Sequence, residues 1–448
     1  MHPYRCLACG DGGLALVNEV YTCRSCSAQY PVAFGVPLFL QKPASVSPSG
    51  LQVSEDIAAQ ICRIHVFRSD AAVLRSVRDI LSFNYHLSDI NLSAENNYFL
   101  NRIKLADLPA RPVDNVVGDG GPVNLDVRYR ILSHLLPDAL PRDTLLTRNV
   151  RVQNTGTSVI SSRTANPVYL SYHWRTPAGT VVVFEGERTA FPIDLPQGRT
   201  ITVPTIIRTP PGPGSYMLEL MMIHEQVAWL SRDAVSVGVE IVPEPERTIP
   251  AHWVVSPPSE SYTYESDHYQ ARDWLREEFG RRHRPGMRVL EIGGCCNPMA
   301  RGLDADVYSI DIDVQTLQIG QLSIDGSGER LHFVCADAHA LPFAGRSFDC
   351  VVLFSSLHHF ADPLAVLRNI KYVLKNDGFL AIMCEPVGTY LNGHASREFI
   401  EELEQGINEQ IFTREEYHHF FQRVGLYATW VAVDGGSFKA ILQPRPPA

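Results

Sequence analysis

The sequence predicts a multidomain protein that ends in a doubly wound α/β domain, preceded by a Cys-rich knot, a helical segment and an antiparallel β-sandwich. Three observations predict it. Two CxxC pairs fall within the first 26 residues. Apolar residues then alternate with period two across residues 123–242. After a run of prolines, continuous apolar stretches and helical stretches alternate from about residue 264 to the end. A length of 448 residues accommodates several domains.

Residues 1–42 hold Cys6-x2-Cys9 and Cys23-x2-Cys26, separated by thirteen residues. Each pair can place two thiolates on one metal, and four thiolates complete a tetrahedral zinc site. A fold of about 40 residues has too small a core to be stable easily alone, so metal binding would supply its folding energy. A redox role needs one CxxC in a thioredoxin-like context, which is missing. The knot is therefore expected to be a zinc ribbon. Five further cysteines lie in the C-terminal domain and are expected to be small buried hydrophobes; a disulfide framework is not expected.

Residues 43–115 carry helical periodicity. Ser54 with Asp56 can cap a first helix whose stripe is Ile57, Ile61, Ile64 and Val66; Val73, Val77 and Leu81 mark a second. A Pro/Gly-rich break ends this segment. In residues 116–243, Val168, Leu170, Tyr172 and Trp174 share one face of a strand, with turn signals such as Pro177-Ala178-Gly179 between strands. About eight short strands without a helix suggest an immunoglobulin-like sandwich. Tyr172, Trp174 and Trp229 could form a sugar-stacking platform, but the parity of Tyr172 and Trp174 with Val168 and Leu170 favours core. Residues 244–263 are expected to be a Pro-rich linker.

In residues 264–448, strands fit at 288–294, 306–312, 331–337, 348–354 and 378–385, with helices between, for example over 363–375. Their continuous apolar runs suit parallel strands buried on both faces. Four features lie in order at the strands' carboxyl ends, where open α/β sheets bind ligands. Glu291-Ile292-Gly293-Gly294 ends the first in a glycine turn that lets backbone approach a ligand. Asp311, followed by Ile312, ends the second, placed to accept hydrogen bonds from ribose hydroxyls. Asp337-Ala338 ends the third, where a carboxylate can meet an adenine amino group. Phe354, Ser355 and the following Ser356-Leu357-His358-His359 end the fourth.

The stretches VLEIGG, DAHALPF, FDCVVLFSSLHHFADP and VLKNDGFLAI together resemble the class I methyltransferase family over about 170 residues. The resemblance implies a Rossmann-like domain that binds S-adenosylmethionine through Glu291, Gly293, Gly294, Cys295, Asp311, Ile312, Asp337, Ala338, Phe354 and Ser355. One departure stands out: the family often has glycines where this chain has Cys295 and Asn297, in a loop reading GGCCNP. Altered loop geometry and a degenerate site both remain open. The stretch CRSCSAQYPVAFGVPLFL resembles zinc-ribbon activator proteins that pair with methyltransferases acting on tRNA and translation factors. The sandwich is similar, in pattern, to domains beside bacterial glycosyltransferases and polysaccharide-export components.

His358, His359 and Glu385, the last ending strand five, are the candidates for a general base. His339 lies on the adenine side, and the run Arg281-Arg282-His283-Arg284 fits a solvated helix end. The Asn/Asp-Pro-Pro-aromatic motif of amine and amide methylation is absent after strand four, as is a Pro-Cys nucleophile. The net charge of −10 argues against a nucleic-acid surface. No apolar run reaches the roughly 18 residues of a membrane span, and the N-terminus lacks a signal-peptide pattern, so a cytoplasmic protein is expected. The expected function is O-methylation of a sugar or glycan-related acceptor. The alternatives are RNA or protein methylation with a fused ribbon, and a non-catalytic glycan-binding or assembly protein.

Overall fold

The computed structural model describes residues 2–42, 45–49, 53–65, 68–86, 126–243, 253–255, 264–389, 397–434 and 437–444. The chain forms two compact units. One comprises Met1–Pro109, Ile249–Val387 and Phe412–Ala448; the other comprises Ala110–Thr248 and Gly388–Ile411.

The first unit begins with the Cys-rich knot, strands β1 (Leu14–Val17), β2 (Val20–Cys23), β3 (Gln29–Ala33) and β4 (Val36–Phe39), paired antiparallel in that order. Next come β5 (Ser45–Pro48), α1 (Glu55–His65), α2 (Ala71–Leu81) and β6 (Phe83–His86). The Ser54 hydroxyl accepts the Ile57 N–H at 3.2 Å, and Asp70 accepts the N–H groups of Ala72 and Val73, so both helices start on side-chain caps. Ile57, Ile61, Val73, Val77 and Leu81 are all buried, as their spacing requires. The Ile64 side chain, Val66 and the Pro/Gly-rich break lie outside the described residues.

The second unit is a sandwich of β7 (Tyr129–His134), β8 (Ala139–Pro141), β9 (Leu145–Asn154), β10 (Val168–Arg175), β11 (Val181–Val183), β12 (Thr189–Ala190), β13 (Thr200–Arg208), β14 (Gly214–His224) and β15 (Ala228–Val242). Six of these strands form one sheet, in the order β11-β10-β14-β15-β8 with β12 on β10, and β13-β9-β7 form the other. The sandwich is not wholly antiparallel, because β8 pairs with β15 in parallel, Leu140 opposite Ile241. Tyr172 and Trp174 are at most 1% exposed and belong to its core, so they form no sugar platform. Trp229 points to the opposite face with His173 and Phe184, ring centroids 4.3 and 5.7 Å away. The helix Arg397–Glu404 joins this unit rather than the α/β domain, burying Phe399 and Leu403 in the sandwich core.

The remainder of the first unit contains β16 (Trp253–Val255), α3 (Tyr264–Arg282), β17 (Arg288–Ile292), β18 (Asp306–Asp311), α4 (Val314–Ile324), β19 (Leu331–Ala336), β20 (Phe348–Phe354), α5 (Pro363–Val373), β21 (Leu374–Pro386), α6 (Arg414–Val424), β22 (Leu426–Asp434) and β23 (Ser437–Pro444). A twelve-stranded sheet runs β1-β2-β3-β4-β19-β18-β17-β20-β21-β23-β22-β16. Its order reverses between β17 and β20, the switch point at which such sheets open a crevice. β23 is antiparallel to β21 and β22; residues 435–436 between β22 and β23 lie outside the described residues. Two pairings extend the sheet beyond the expected α/β domain. β4 adds in parallel to β19, Leu38 opposite Cys335 and Phe39 opposite Ala336, so the knot is part of the sheet. β16 adds in parallel to β22, so part of the expected Pro-rich linker is a strand; residues 244–252 and 256–263 lie outside the described residues.

The basic run at the end of α3 is held by acids: Arg281 and Arg282 pair with Glu278, and Arg284 with Asp377. No helix among the described residues is long and apolar enough to cross a membrane.

Candidate active site

The glycine turn after β17 is built from below. Gly293 takes φ +79°, and its N–H donates to Ile310 O at 2.8 Å. A Cβ on Gly294 would fall 2.3 Å from Ser309 Oγ, so only glycine fits there. Cys295, at the position of the departure, is left-handed with φ +49°, a conformation that costs a non-glycine residue on the order of 1–3 kcal/mol. Its neighbour Cys296 is buried against Ile319 of α4 and the apolar stripes of α1 and α2. The Gln315 side chain also donates to Ile80 O and Phe83 O at 3.1 and 2.5 Å. The helical segment thus seats on the loop after β17, through Cys296, and on α4, through Gln315 and Ile319. Nothing in the sequence beyond a second adjacent cysteine signalled this.

Glu291 is buried and does not face the crevice. Its carboxylate accepts the N–H groups of Met299 and Ala300 at 2.8 and 2.7 Å, closing the far end of the loop. Burial outweighs those bonds and the nearby Arg272 charge, and pushes its carboxyl up to about 7. The folded state therefore keeps this proton where the unfolded chain loses it. The resulting stabilisation is complete below the ordinary Glu value near 4.5 and is lost as pH rises through 7. Urea melts should show wild type losing on the order of 1–3 kcal/mol more than Glu291→Gln between pH 5 and 8. Equal slopes for the two proteins would refute the assignment.

Asp311, at the end of β18, accepts from Ile312 N at 2.8 Å, Asp313 N at 3.0 Å and Cys295 N at 3.2 Å. These donors lock the carboxylate between the glycine turn and the start of α4. Burial raises its carboxyl despite them. Asp337, at the end of β19, caps the turn Ala338–Ala340 and accepts from His339 N at 2.8 Å. His339 is committed on both sides: Nε2 accepts the Asp362 N–H at 3.3 Å, so Nδ1 carries the proton that faces Asp337 at 2.8 Å.

After β20 the chain turns sharply. Ser355 is left-handed at φ +46°, its N–H bonded to Met383 O at 2.9 Å, and Ser356 Oγ donates to Ile292 O at 3.2 Å. A Cβ on Gly293 would lie 2.9 Å from Ser356 Cβ, so the β20 loop rests on the glycine turn. Phe354, Ser355 and Ile312 are half-buried at these strand ends, and Ala338 is buried. Leu357–His359 forms a 3-10 turn with His358 buried and His359 half-buried, ring centroids 3.9 Å apart. Glu385 lies beneath, fully buried, with Oε2 2.7 Å from His358 Nδ1. The structure therefore brings the β17, β18 and β20 strand-end residues into mutual contact, along with Glu385, whereas Glu291 closes the far end of the glycine loop. The sequence marks Ser356 only as part of the run after strand four, and it carries no sign of Cys384, which is left-handed at φ +57° beside Glu385.

In the knot, the sulfurs of Cys6, Cys9, Cys23 and Cys26 all lie within 4.8 Å of one another and could hold a metal ion. Cys6 and Cys26 are 3.5 Å apart, and Cys9 and Cys23 3.6 Å. A tetrahedron of thiolates about 2.3 Å from zinc has edges of ~3.8 Å, while a disulfide would need about 2 Å. The donor set fits zinc.

Residues 290–382 match the family described as a methyltransferase domain. A ubiquinone/menaquinone biosynthesis C-methyltransferase from Hahella chejuensis is 35% identical over 108 residues, covering 22% of this chain and 43% of that protein. A ubiquinone biosynthesis O-methyltransferase from Sinorhizobium medicae is 32% identical over 121 residues, covering 25% and 48%. The chain thus spans about half the length of the curated relatives it matches. Among solved structures, a methyltransferase activator complex from Haloferax volcanii aligns with TM-score 0.34 and 16% identity, covering 41% of this chain and 92% of that one.

Proposed function

We propose that this chain, whose first unit carries an S-adenosylmethionine-dependent methyltransferase domain, methylates a hydroxyl of a small molecule, with a carbohydrate as the acceptor. The observation that carries the hydroxyl is the buried His358–Glu385 pair in the loop after β20 and at the end of β21. An imidazole held by a carboxylate is suited to take a proton near neutral pH. An amine acceptor would instead favour the missing Asn/Asp-Pro-Pro-aromatic motif. The carbohydrate rests on the sandwich unit, whose pattern is similar to domains beside glycosyltransferases. Asp311, Asp337 and the glycine turn would hold the cofactor, which supplies an electrophilic methyl group on a sulfonium.

A second reading is O- or C-methylation of a quinone precursor, favoured by the resemblance to the two ubiquinone-biosynthesis methyltransferases. RNA or protein methylation keeps the support of a ribbon built into the domain's own sheet. Methyl-labelled cofactor incubated with the protein and with glycan, phenolic, RNA and protein pools separates these. Label in a saccharide is the expected result, and label confined to any other pool would overturn the acceptor class.

We further infer that the four cysteines bind one zinc per chain. Elemental analysis should give one zinc per purified chain and well under one in Cys23→Ser. Full occupancy in that variant would refute the ligand set. Because β4 pairs with the end of β19, just before Asp337, chelation should also lower the melting temperature of the intact protein by several degrees or more.

A further inference from the structure

The outer face of the six-stranded sheet, turned away from the sandwich core, carries an exposed aromatic ring on a rigid bed. Phe184, in the loop after β11, lies nearly parallel on His173 of β10, with ring centroids 4.5 Å apart and 14° between the planes. His173 beneath is 3% exposed whereas Phe184 is 50% exposed, so the free face of the phenyl ring is turned to solvent. Burial holds the His173 imidazole below its ordinary value, so the ring under Phe184 is neutral at pH 7. Trp229 of β15 fixes Phe184 from the side, edge-on at 5.7 Å, and itself contacts His173 at 4.3 Å. Val181 and Val182, just before Phe184 in the chain, are 40% and 43% exposed. Large apolar side chains exposed in close succession mark a surface that binds something.

Polar groups flank the ring on both sides and are held in place by ion pairs. Glu219 of β14, opposite His173 in register, accepts from Arg175 Nε at 2.8 Å through Oε2. On the Trp229 side, Arg188 lies over the indole at 5.0 Å. It donates from Nε to Glu225 Oε1 at 2.9 Å and from Nη2 to Glu185 Oε2 at 2.6 Å. Each of these carboxylates keeps its other oxygen without a protein donor among the described residues. Two guanidinium groups against three carboxylates leave the rim acidic, which disfavours nucleic acid, anionic lipid and acidic glycans. What remains is a flat apolar ring bounded by hydrogen-bond acceptors. A pyranose matches both features. Its C–H groups form an apolar face that stacks on the phenyl ring, and its hydroxyls can donate to the carboxylate oxygens at the rim.

We propose that Phe184 is the stacking platform of a saccharide-binding site on the sandwich, selective for a neutral glycan. The site belongs to the second unit and is not part of the candidate active site, which lies in the first. It does not depend on which acceptor receives the methyl group.

The test uses the full chain on an array of neutral and uronic-acid-containing oligosaccharides, with the strongest binder then titrated by calorimetry. Wild type should retain at least one neutral oligosaccharide. Phe184→Ala should weaken that binding roughly tenfold, the loss of one stacked ring, while Phe184→Trp stays within about threefold of wild type. Affinity for S-adenosylhomocysteine and the melting temperature should be unchanged in both variants. Retention of no glycan, retention of acidic glycans alone, or equal affinity in Phe184→Ala would each overturn the proposal. A shift from dimer to monomer in Phe184→Ala, with no glycan bound by wild type, would make this face an interface between two copies and overturn it as well. Glycan bound through Phe184 by a protein that methylates no saccharide supports this site and overturns the carbohydrate acceptor instead. Saccharide methylation by a protein whose glycan affinity is untouched by Phe184→Ala does the reverse.

Discussion

Asp311→Ala is expected to lower affinity for S-adenosylmethionine by at least about 10²-fold, to the point where calorimetry detects no binding. Two losses add. The ribose hydroxyls lose a charged acceptor, and hydrogen bonds to charged groups contribute about 1.5–3 kcal/mol each. The N–H groups of Cys295, Ile312 and Asp313 also lose their common partner. The Cys295 N–H matters most, because that residue sits in the left-handed region and is tethered there by Asp311. Without the tether the glycine turn is free to relax away from the ligand. Asp311→Asn separates the two losses: the amide oxygen can still accept from one side of the loop, so binding should weaken by only about tenfold. Wild-type affinity in Asp311→Ala would remove this residue from the site.

Much of the α/β domain was legible because its strands advertise themselves. VLEI, VYSI and CVVLF are continuous apolar runs bounded by turns, and each emerged within two residues of its expected end. Tyr172 and Trp174 were legible as core for a related reason, since strand parity sets them beside Val168 and Leu170. What was not legible depends on partners distant in sequence. The apolar stretch Val36–Phe39 was visible, but nothing local says that it pairs with β19, some 300 residues later. Trp253–Val255 is only three residues long among prolines and reads as linker; its strand character comes wholly from β22. The helix Arg397–Glu404 shows an ordinary amphipathic pattern that cannot say which core it faces, and it joins the sandwich.

At the site, the strand-end carboxylates were legible by type and spacing. The sequence did not distinguish Glu385, which clamps a loop, from a residue that meets an acceptor. That distinction comes from the bulge at Cys384, and a cysteine carries no turn signature. The GGCCNP loop is likewise a matter of backbone and distant packing partners. Cys295 accepts a left-handed backbone at an energetic cost, and Cys296 gains a hydrophobic seat against α1, α2 and α4.

His358→Ala is expected to lower turnover by roughly 10²–10⁴-fold, the usual contribution of a general base, with cofactor affinity barely changed. Attack by a hydroxyl leaves a proton on the oxygen that gains the methyl group, and an acceptor for it lowers the barrier. His358 rather than His359 is proposed for that task because the Glu385 carboxylate sits 2.7 Å from its Nδ1 and can stabilise an imidazolium. Removing the imidazole also leaves Glu385 buried with one fewer donor, so some stability will be lost, on the order of 1–3 kcal/mol. For that reason rates should be compared at a temperature where both proteins are folded. His358→Gln offers a control, since its amide can still donate to Glu385 but cannot take the acceptor's proton. Its stability should approach wild type while its turnover stays as low as that of His358→Ala. Full activity in both His358 variants would pass the role of base to His359 or to water. Loss of cofactor binding in His358→Gln would make His358 a packing residue of the cofactor crevice.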